Sequence, residues 1–208
     1  MKLWTVLLCL VGCARANLAD VDASPTRDAP QSSGGDAHTS DSNAGGCAQA
    51  FTGVLATWDF SGESGSQTFT AVKTTAPGVT AGSAMRSSGL TAVSGLNSIN
   101  ASNWATASAR DSAKYFALSV IAPAGCQLTV TSVAIDARAS SSGPTMAQLS
   151  TSADTYAQTA TVSTAVSSTP VLSATGGTVE LRIYGYAASA STGTMRLQNT
   201  LAISGSVE

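Results

Sequence analysis

Residues Tyr115–Arg138, YFALSVIAPAGCQLTVTSVAIDAR, are the stretch that decides the fold. Large apolar residues occupy every second position on both sides of the turn-forming segment Pro123–Gly125. They are Phe116, Leu118 and Val120 before the turn, and Leu128 and Val130 after it. Alternation of period two is typical of a half-buried β-strand, and proline and glycine between two such runs indicate a chain reversal.

The second half of this stretch changes phase. Its later apolar residues, Val133, Ile135 and Ala137, fall on odd instead of even positions. One extra residue around Thr131–Ser132 returns them to the buried face, which is the effect of a β-bulge. We therefore expect a long, bulged hairpin at the centre of an all-β domain.

Two further runs extend the pattern. The run GVLATWDF, residues 53–60, has its apolar side chains on one parity, namely Val54, Ala56, Trp58 and Phe60. Met195–Val207 predicts one continuous strand with a single apolar face, formed by Met195, Leu197, Leu201, Ile203 and Val207. Strands joined by turns, without a helical stretch, predict an antiparallel β-sandwich over residues 47–208, with Trp58 and Trp104 in its core.

The charge of the chain is low and balanced. Charged residues make up 11% of the 208 residues, and the formal net charge is -2. From Ala48 onward, acidic and basic residues are equal in number. A balance this close to neutral argues against nucleic acid or an anionic lipid surface as an electrostatic partner.

The N-terminus has the pattern of an export signal. Lys2 is followed by the apolar run Leu3–Val11, which is too short to span a bilayer. Leu10-Val11-Gly12-Cys13 then resembles the lipobox of bacterial lipoproteins. The resemblance implies that residues 1–12 are a signal peptide, that Cys13 is acylated with palmitate and begins the mature chain, and that the lipid anchors the protein to a membrane.

Two alternatives to lipidation remain open. Ala14–Ala16 is a small-x-small cleavage site that would release a secreted protein beginning at Asn17, and Cys13 would also be ordinary within an apolar signal. Ala14 directly after the cysteine, in place of aspartate, resembles the outer-membrane class of lipoproteins. The favoured localisation is therefore the cell envelope, at the outer membrane.

Residues 13–46 read as an acidic linker. The segment is rich in Asp, Ser, Gly, Ala and Pro and has no aromatic residue. So little apolar surface cannot offset the entropy lost on ordering, which predicts a disordered tether. His38, the single histidine of the chain, lies in this segment and is expected to be a solvated spacer residue.

Three blocks of the domain resemble a jelly-roll-like module of exported bacterial proteins, including exosortase-sorted (PEP-CTERM) proteins. GVLATWDFSG looks like its first strand, residues 113–156 like its middle, and residues 179–207 like its C-terminal hairpin. The resemblance implies a jelly-roll β-sandwich but carries no settled activity. No sorting tail is expected after Glu208. Related modules usually have Asp before Asn in the last strand, near a structural calcium, whereas this chain has Gln198-Asn199, so we expect no metal and no cofactor.

Catalytic signatures are weak. The domain contains no histidine to activate a nucleophile, and no GxSxG sequence. Four acidic residues are candidates for the carboxylate pair of a glycosidase: Asp59, Glu63, Asp136 and Glu180. We interpret them instead as isolated surface acids, with Asp59 and Asp136 ending strands and Glu180 paired across a strand with a base, and we expect no enzymatic activity.

The aromatic residues suggest a ligand surface. In TVELRIYGYA, Val179, Leu181 and Ile183 share one face, while Glu180, Arg182, Tyr184 and Tyr186 share the other. If the apolar trio is buried, the two tyrosines face outward about 7 Å apart and offer a stacking platform for a sugar chain. In the alternative interpretation one or both tyrosines cover a sheet end or pack beneath a loop.

Cys47 and Cys126 are the even pair that remains once Cys9 leaves with the signal and Cys13 is lipidated. In an oxidising compartment this pair predicts a disulfide, although two separate thiols remain an alternative. The leading functional prediction is a lipid-anchored envelope protein that recognises or adheres to an extracellular or envelope glycan or protein. The alternatives are a carboxylate-dependent secreted hydrolase and a purely structural surface protein.

Overall fold

The computed structural model describes residues 47–208, which form an all-β domain. In chain order the strands are β1 (Phe51–Asp59), β2 (Ser64–Gly65), β3 (Phe69–Thr70), β4 (Val72–Thr75), β5 (Thr80–Ala81), β6 (Ala84–Arg86), β7 (Thr91–Ala92), β8 (Ser98–Ser102), β9 (Tyr115–Ile121), β10 (Leu128–Ala134), β11 (Ala137–Ala139), β12 (Pro144–Thr151), β13 (Ala160–Val162), β14 (Val171–Gly176), β15 (Thr178–Ala188), β16 (Met195–Gln198) and β17 (Thr200–Val207). A 3₁₀ turn, Ser152–Asp154, follows β12. The predicted signal, Cys13 and the predicted linker lie outside the described residues.

The strands form a β-sandwich, as predicted. The first sheet has the order β14-β10-β17-β1-β4, and the second has the order β13-β12-β15-β9-β6-β3 with β5 beside β9. Eight strands follow one another in the chain order β1, β9, β10, β12, β13, β14, β15, β17. Successive members of this series lie in opposite sheets except for the neighbours β12 and β13, which is the jelly-roll order. A small third sheet, β11-β16-β8-β2 with β7 beside β8, lies alongside.

The prediction of a central hairpin is wrong, because β9 and β10 belong to different sheets. The segment 122–127 between them crosses the sandwich. At one end Ala122 donates its N–H to the carbonyl of Gly177 beside β15 (2.8 Å), and at the other Gln127 donates to Glu208 after β17 (2.7 Å). The predicted bulge is confirmed, since the register of β10 against both of its neighbours shifts between Val130 and Ser132.

Two other strand predictions need correction. Val54 is 47% exposed, because β1 bulges between Val54 and Ala56 and the buried position passes to Leu55. The final run is two strands in different sheets, separated by Asn199 in the left-handed region (φ 57°), although all five of its predicted apolar residues are buried. The expected C-terminal hairpin is also absent from the described residues, because β15 pairs with β9 and β12.

Both predicted core tryptophans are buried, as expected. Trp104 meets Phe116 edge-on at a ring-centroid distance of 5.2 Å, and its indole N–H donates to the carbonyl of Ala101 (2.8 Å). The ring also covers Gly185, where an added Cβ would lie 2.9 Å from the indole. A glycine in the middle of β15 is therefore required by the close approach of Trp104, together with Pro144 and Met195.

The predicted disulfide is present. Cys47 and Cys126 are bonded, with a Cα–Cα distance of 4.7 Å. Cys126 lies in the crossover between β9 and β10, so the bond fastens the first described residue to the segment that joins the two sheets. Closing a loop of sequence separation 79 restricts mainly the unfolded chain.

Replacing both cysteines in Cys47→Ser/Cys126→Ser should lower the free energy of unfolding by about 3–4 kcal/mol, because the unfolded chain regains the entropy of the open loop. Urea titration of the oxidised protein and of the variant measures the difference. Each single variant should lose as much as the double variant, apart from small local effects, since either change removes the bond. Two free thiols from these positions in the denatured, unreduced protein would contradict the assignment.

Candidate functional site

The predicted ligand face lies on the outer side of the second sheet. Val179, Leu181 and Ile183 are buried in the core, so the opposite face of β15 carries the predicted site residues, as expected. The predicted exposure of the tyrosines is wrong, since Tyr184 is 2% and Tyr186 5% exposed. The pair therefore does not form an open stacking platform.

Side chains from other segments cover Tyr184. Tyr115, its cross-strand neighbour on β9, lies at a ring-centroid distance of 5.5 Å. Arg110, from the loop before β9, places its guanidinium carbon 5.1 Å from the centre of the Tyr184 ring. The guanidinium is held there by hydrogen bonds to Ser150 Oγ (2.8 Å) and to the carbonyl of Tyr156 (2.6 Å).

Arg182 lies between two aromatic rings. Its guanidinium carbon is 4.2 Å from the ring centre of Tyr115 and 4.0 Å from that of Tyr156. The Arg182 Nε donates to Glu180 Oε1 (2.6 Å), and the Tyr156 hydroxyl donates to the same oxygen (2.9 Å). We call the set Arg110, Tyr115, Tyr156, Glu180, Arg182 and Tyr184 the Arg182 cluster. Stacking and charge pairing engage most of its polar groups within the cluster itself.

The Arg182 cluster shifts the pKa of its members. Burial, together with the hydrogen bond to the Glu180 carboxylate, raises the pKa of Tyr156 to about 12. Burial acts to lower the pKa of Arg182, but its bond to Glu180 outweighs this effect and the pKa is raised. Both shifts preserve the protonated tyrosine and the charged arginine that the cluster requires.

Sequence reasoning did not identify Arg110, Tyr115 or Tyr156 as part of this region. Tyr115 had a usable signal, because it opens β9 on the parity opposite to the buried Phe116. Tyr156 lies in a segment without apolar contrast, after the 3₁₀ turn. Arg110 lies in a loop, and nothing in the local sequence indicates where the loop folds.

Tyr186 lies apart from the cluster, at the edge of an open groove of about 500 Å³. We call this the Tyr186 groove. The outer faces of β12 and β13 and the loop 163–168 enclose it, and its lining includes Met146, Gln148, Thr161, Ser163, Ala165 and Tyr186. Met146 is the cross-strand neighbour of Tyr186, and Gln148 is that of Thr161.

Three of the four candidate carboxylates, Asp59, Glu180 and Asp136, have charged partners. Asp59, the last residue of β1, forms an ion pair with Lys73, and this hydrogen bond lowers the pKa of Asp59. Glu180 pairs with Arg182 two residues along the same strand, which corrects the predicted cross-strand pairing. The fourth candidate, Glu63, lies in the turn between β1 and β2.

Asp136, the third candidate carboxylate with a charged partner, lies beside Gln198 and Asn199. Its carboxylate is 5% exposed and accepts hydrogen bonds from the side-chain amides of Gln198 (3.1 Å) and Asn199 (2.5 Å). Arg138 Nε lies 2.7 Å from its other oxygen. Burial acts to raise the pKa of Asp136, but these three donors outweigh it and hold the pKa below the ordinary value of 3.8.

Within residues 47–208, no three His, Cys, Asp or Glu side chains come together as metal ligands. The same residues include no helix of the length and apolarity needed to cross a membrane. Comparison of the chain with protein-family models, curated proteins and solved structures gives no match.

The Tyr156 hydroxyl should titrate late. The tyrosine absorbance of the folded protein should contain a phenolate transition near pH 12, and Tyr156→Phe should remove it. Because the folded pKa lies above the ordinary value of 10.0, the stabilising contribution is complete below pH 10 and is lost as the pH rises toward 12. A transition near pH 12 that persists in Tyr156→Phe would assign the shift to a different residue.

Asp136→Asn should destabilise the domain at neutral pH by about 1–3 kcal/mol, the cost of losing hydrogen bonds to a buried charge. The folded pKa of Asp136 lies below 3.8, so its contribution is present above about pH 4 and is lost as the pH falls through the folded pKa. Urea midpoints measured from neutral to acid pH should therefore fall less steeply in the variant. Asp59→Asn, which breaks the exposed pair with Lys73, is the control and should have a smaller effect that salt suppresses.

Proposed function

We propose that this chain is an exported, lipid-anchored protein of the cell envelope whose β-sandwich recognises a glycan or a protein without catalysis. The observation that carries the proposal is the Cys47–Cys126 disulfide. Structural disulfides form and persist outside the cytosol and are rare within it, where thiols are kept reduced. A domain fastened in this way is consistent with the export signal predicted for residues 1–12.

The lipobox supports anchoring rather than release. Acylation at Cys13 would attach the chain to a membrane, with residues 13–46 as the link to the domain. A taut segment 17–46 would reach about 100 Å, and a relaxed coil of the same length would reach about 30 Å. On this proposal the domain is displayed at the outer membrane, and the secreted form beginning at Asn17 is the alternative.

Recognition is supported over hydrolysis by the state of the carboxylates. A glycosidase places two carboxyl groups on opposite sides of one bond, one of them available as an acid. Asp59, Asp136 and Glu180 are each engaged by a cation. The Tyr186 groove, in contrast, is an open cavity with the size and mixed lining of a ligand site.

Labelling cells with an alkyne-bearing palmitate should tag the protein, because the lipobox makes Cys13 the acyl acceptor. Cys13→Ala should remove the tag and move the protein out of the membrane fraction. Cys9→Ala, which changes a cysteine of the signal that is not part of the lipobox, is the matched control and should keep the tag. Equal labelling of Cys13→Ala, or a mature N-terminus at Asn17, would overturn the anchoring proposal.

A further inference from the structure

We infer that the Tyr186 groove is the binding site for an uncharged glycan. This inference rests on the proposed recognition function and specifies its ligand and its place. The groove lies on the same face of β15 as the predicted tyrosine platform, but at the edge toward β12 and β13. The aromatic contact is therefore the rim of Tyr186 beside the exposed Met146, rather than a stacked pair of rings.

The lining of the groove matches a neutral, hydroxyl-rich ligand. No lining residue, all of them within the described part of the chain, carries a charge. Gln148 supplies an amide with both donor and acceptor groups, and Thr161 opposite it supplies a hydroxyl. Gln148 is half-buried and Thr161 is exposed, so both side chains can reach a ligand. An acidic polysaccharide would need basic side chains to pair with its carboxylates, and the lining contains none.

The far wall of the groove is held in place by the end of the first sheet and by the small third sheet. Ser168 and Ile135 exchange two backbone hydrogen bonds of 2.8 Å, which join the loop 163–168 to the residue directly after β10. Ala139 donates its N–H to the carbonyl of Thr164 (2.9 Å), and the Arg138 guanidinium reaches the carbonyl of Ala165. A wall fixed before binding loses little conformational entropy when a ligand arrives.

The groove lies at the end of β15 that is remote from the disulfide. Thr178, at the start of β15, pairs with Ile121 beside the Cys126 crossover. Tyr186 lies eight residues further along the same strand, about 26 Å away. The groove is therefore well separated from Cys47, the first described residue, so a glycan bound in it would not contact the disulfide.

The experiment uses the full-length lipidated chain in detergent. Its retention is measured on insoluble or arrayed polysaccharides at low and at high salt. The uncharged polysaccharides are cellulose, mannan and starch, and the acidic ones are alginate and pectate. The wild type should be retained by at least one uncharged polysaccharide, with little dependence on salt and without release of reducing sugar. Gln148→Leu and Met146→Ala should each weaken retention by about tenfold, through loss of a hydrogen bond and of apolar contact.

Met85→Ala is the matched control, because Met85 is 47% exposed on the same sheet outside the groove, against 49% for Met146. Ala165→Trp fills the groove from the exposed loop and tests the site without altering a strand. Retention of every variant at wild-type strength would overturn the groove assignment and leave the proposed function standing. Retention on acidic polysaccharides alone would overturn the uncharged ligand. A wild-type protein that is retained by no polysaccharide and that binds no envelope protein would overturn the proposed function itself.

Discussion

Both sheets of the sandwich bury their apolar faces in one shared interior, and this constraint determines which way each long strand points. The chain changes sheet at nearly every connection, so each new strand must turn its apolar face back toward the same layer. Bulges keep that alignment where the sequence shifts phase, between Val54 and Ala56 in β1 and between Val130 and Ser132 in β10. The Cys47–Cys126 bond strengthens the arrangement by fixing one of the crossovers.

The sequence predicts which residues face the interior better than it predicts which strands pair. Period-two alternation reports a buried face, and a strand presents the same alternation whether its neighbour in sequence is beside it or across the core. Phe116 and Leu128 are both buried as predicted, yet their strands lie in opposite sheets. The break between β16 and β17 at Asn199 could not be predicted from the alternation either, because the apolar residues keep the same parity on both sides of it.

The site was predicted less well, for a reason that Tyr184 illustrates. Its face on β15 followed from local parity, but its burial depends on Arg110, which comes from a loop remote in sequence and is held by the carbonyl of Tyr156 in a second loop. Local sequence contains no information about where such loops fold. Tyr186 lies outside the cluster because β15 extends beyond Tyr115, the first residue of β9. This extension places Tyr186 in the lining of the groove.

The Arg182 cluster and the Tyr186 groove therefore divide the outer face of β15 by charge. Glu180 and Arg182 neutralise one another on the half of the strand nearer the disulfide, and the stacked tyrosines hold them in place. This clamp ties β15 to the segment after the 3₁₀ turn without placing a charge in the groove. Because the same strand forms part of the cluster and of the groove, the contacts that fix β15 in the cluster also position Tyr186 at the neutral surface that the proposed glycan would contact.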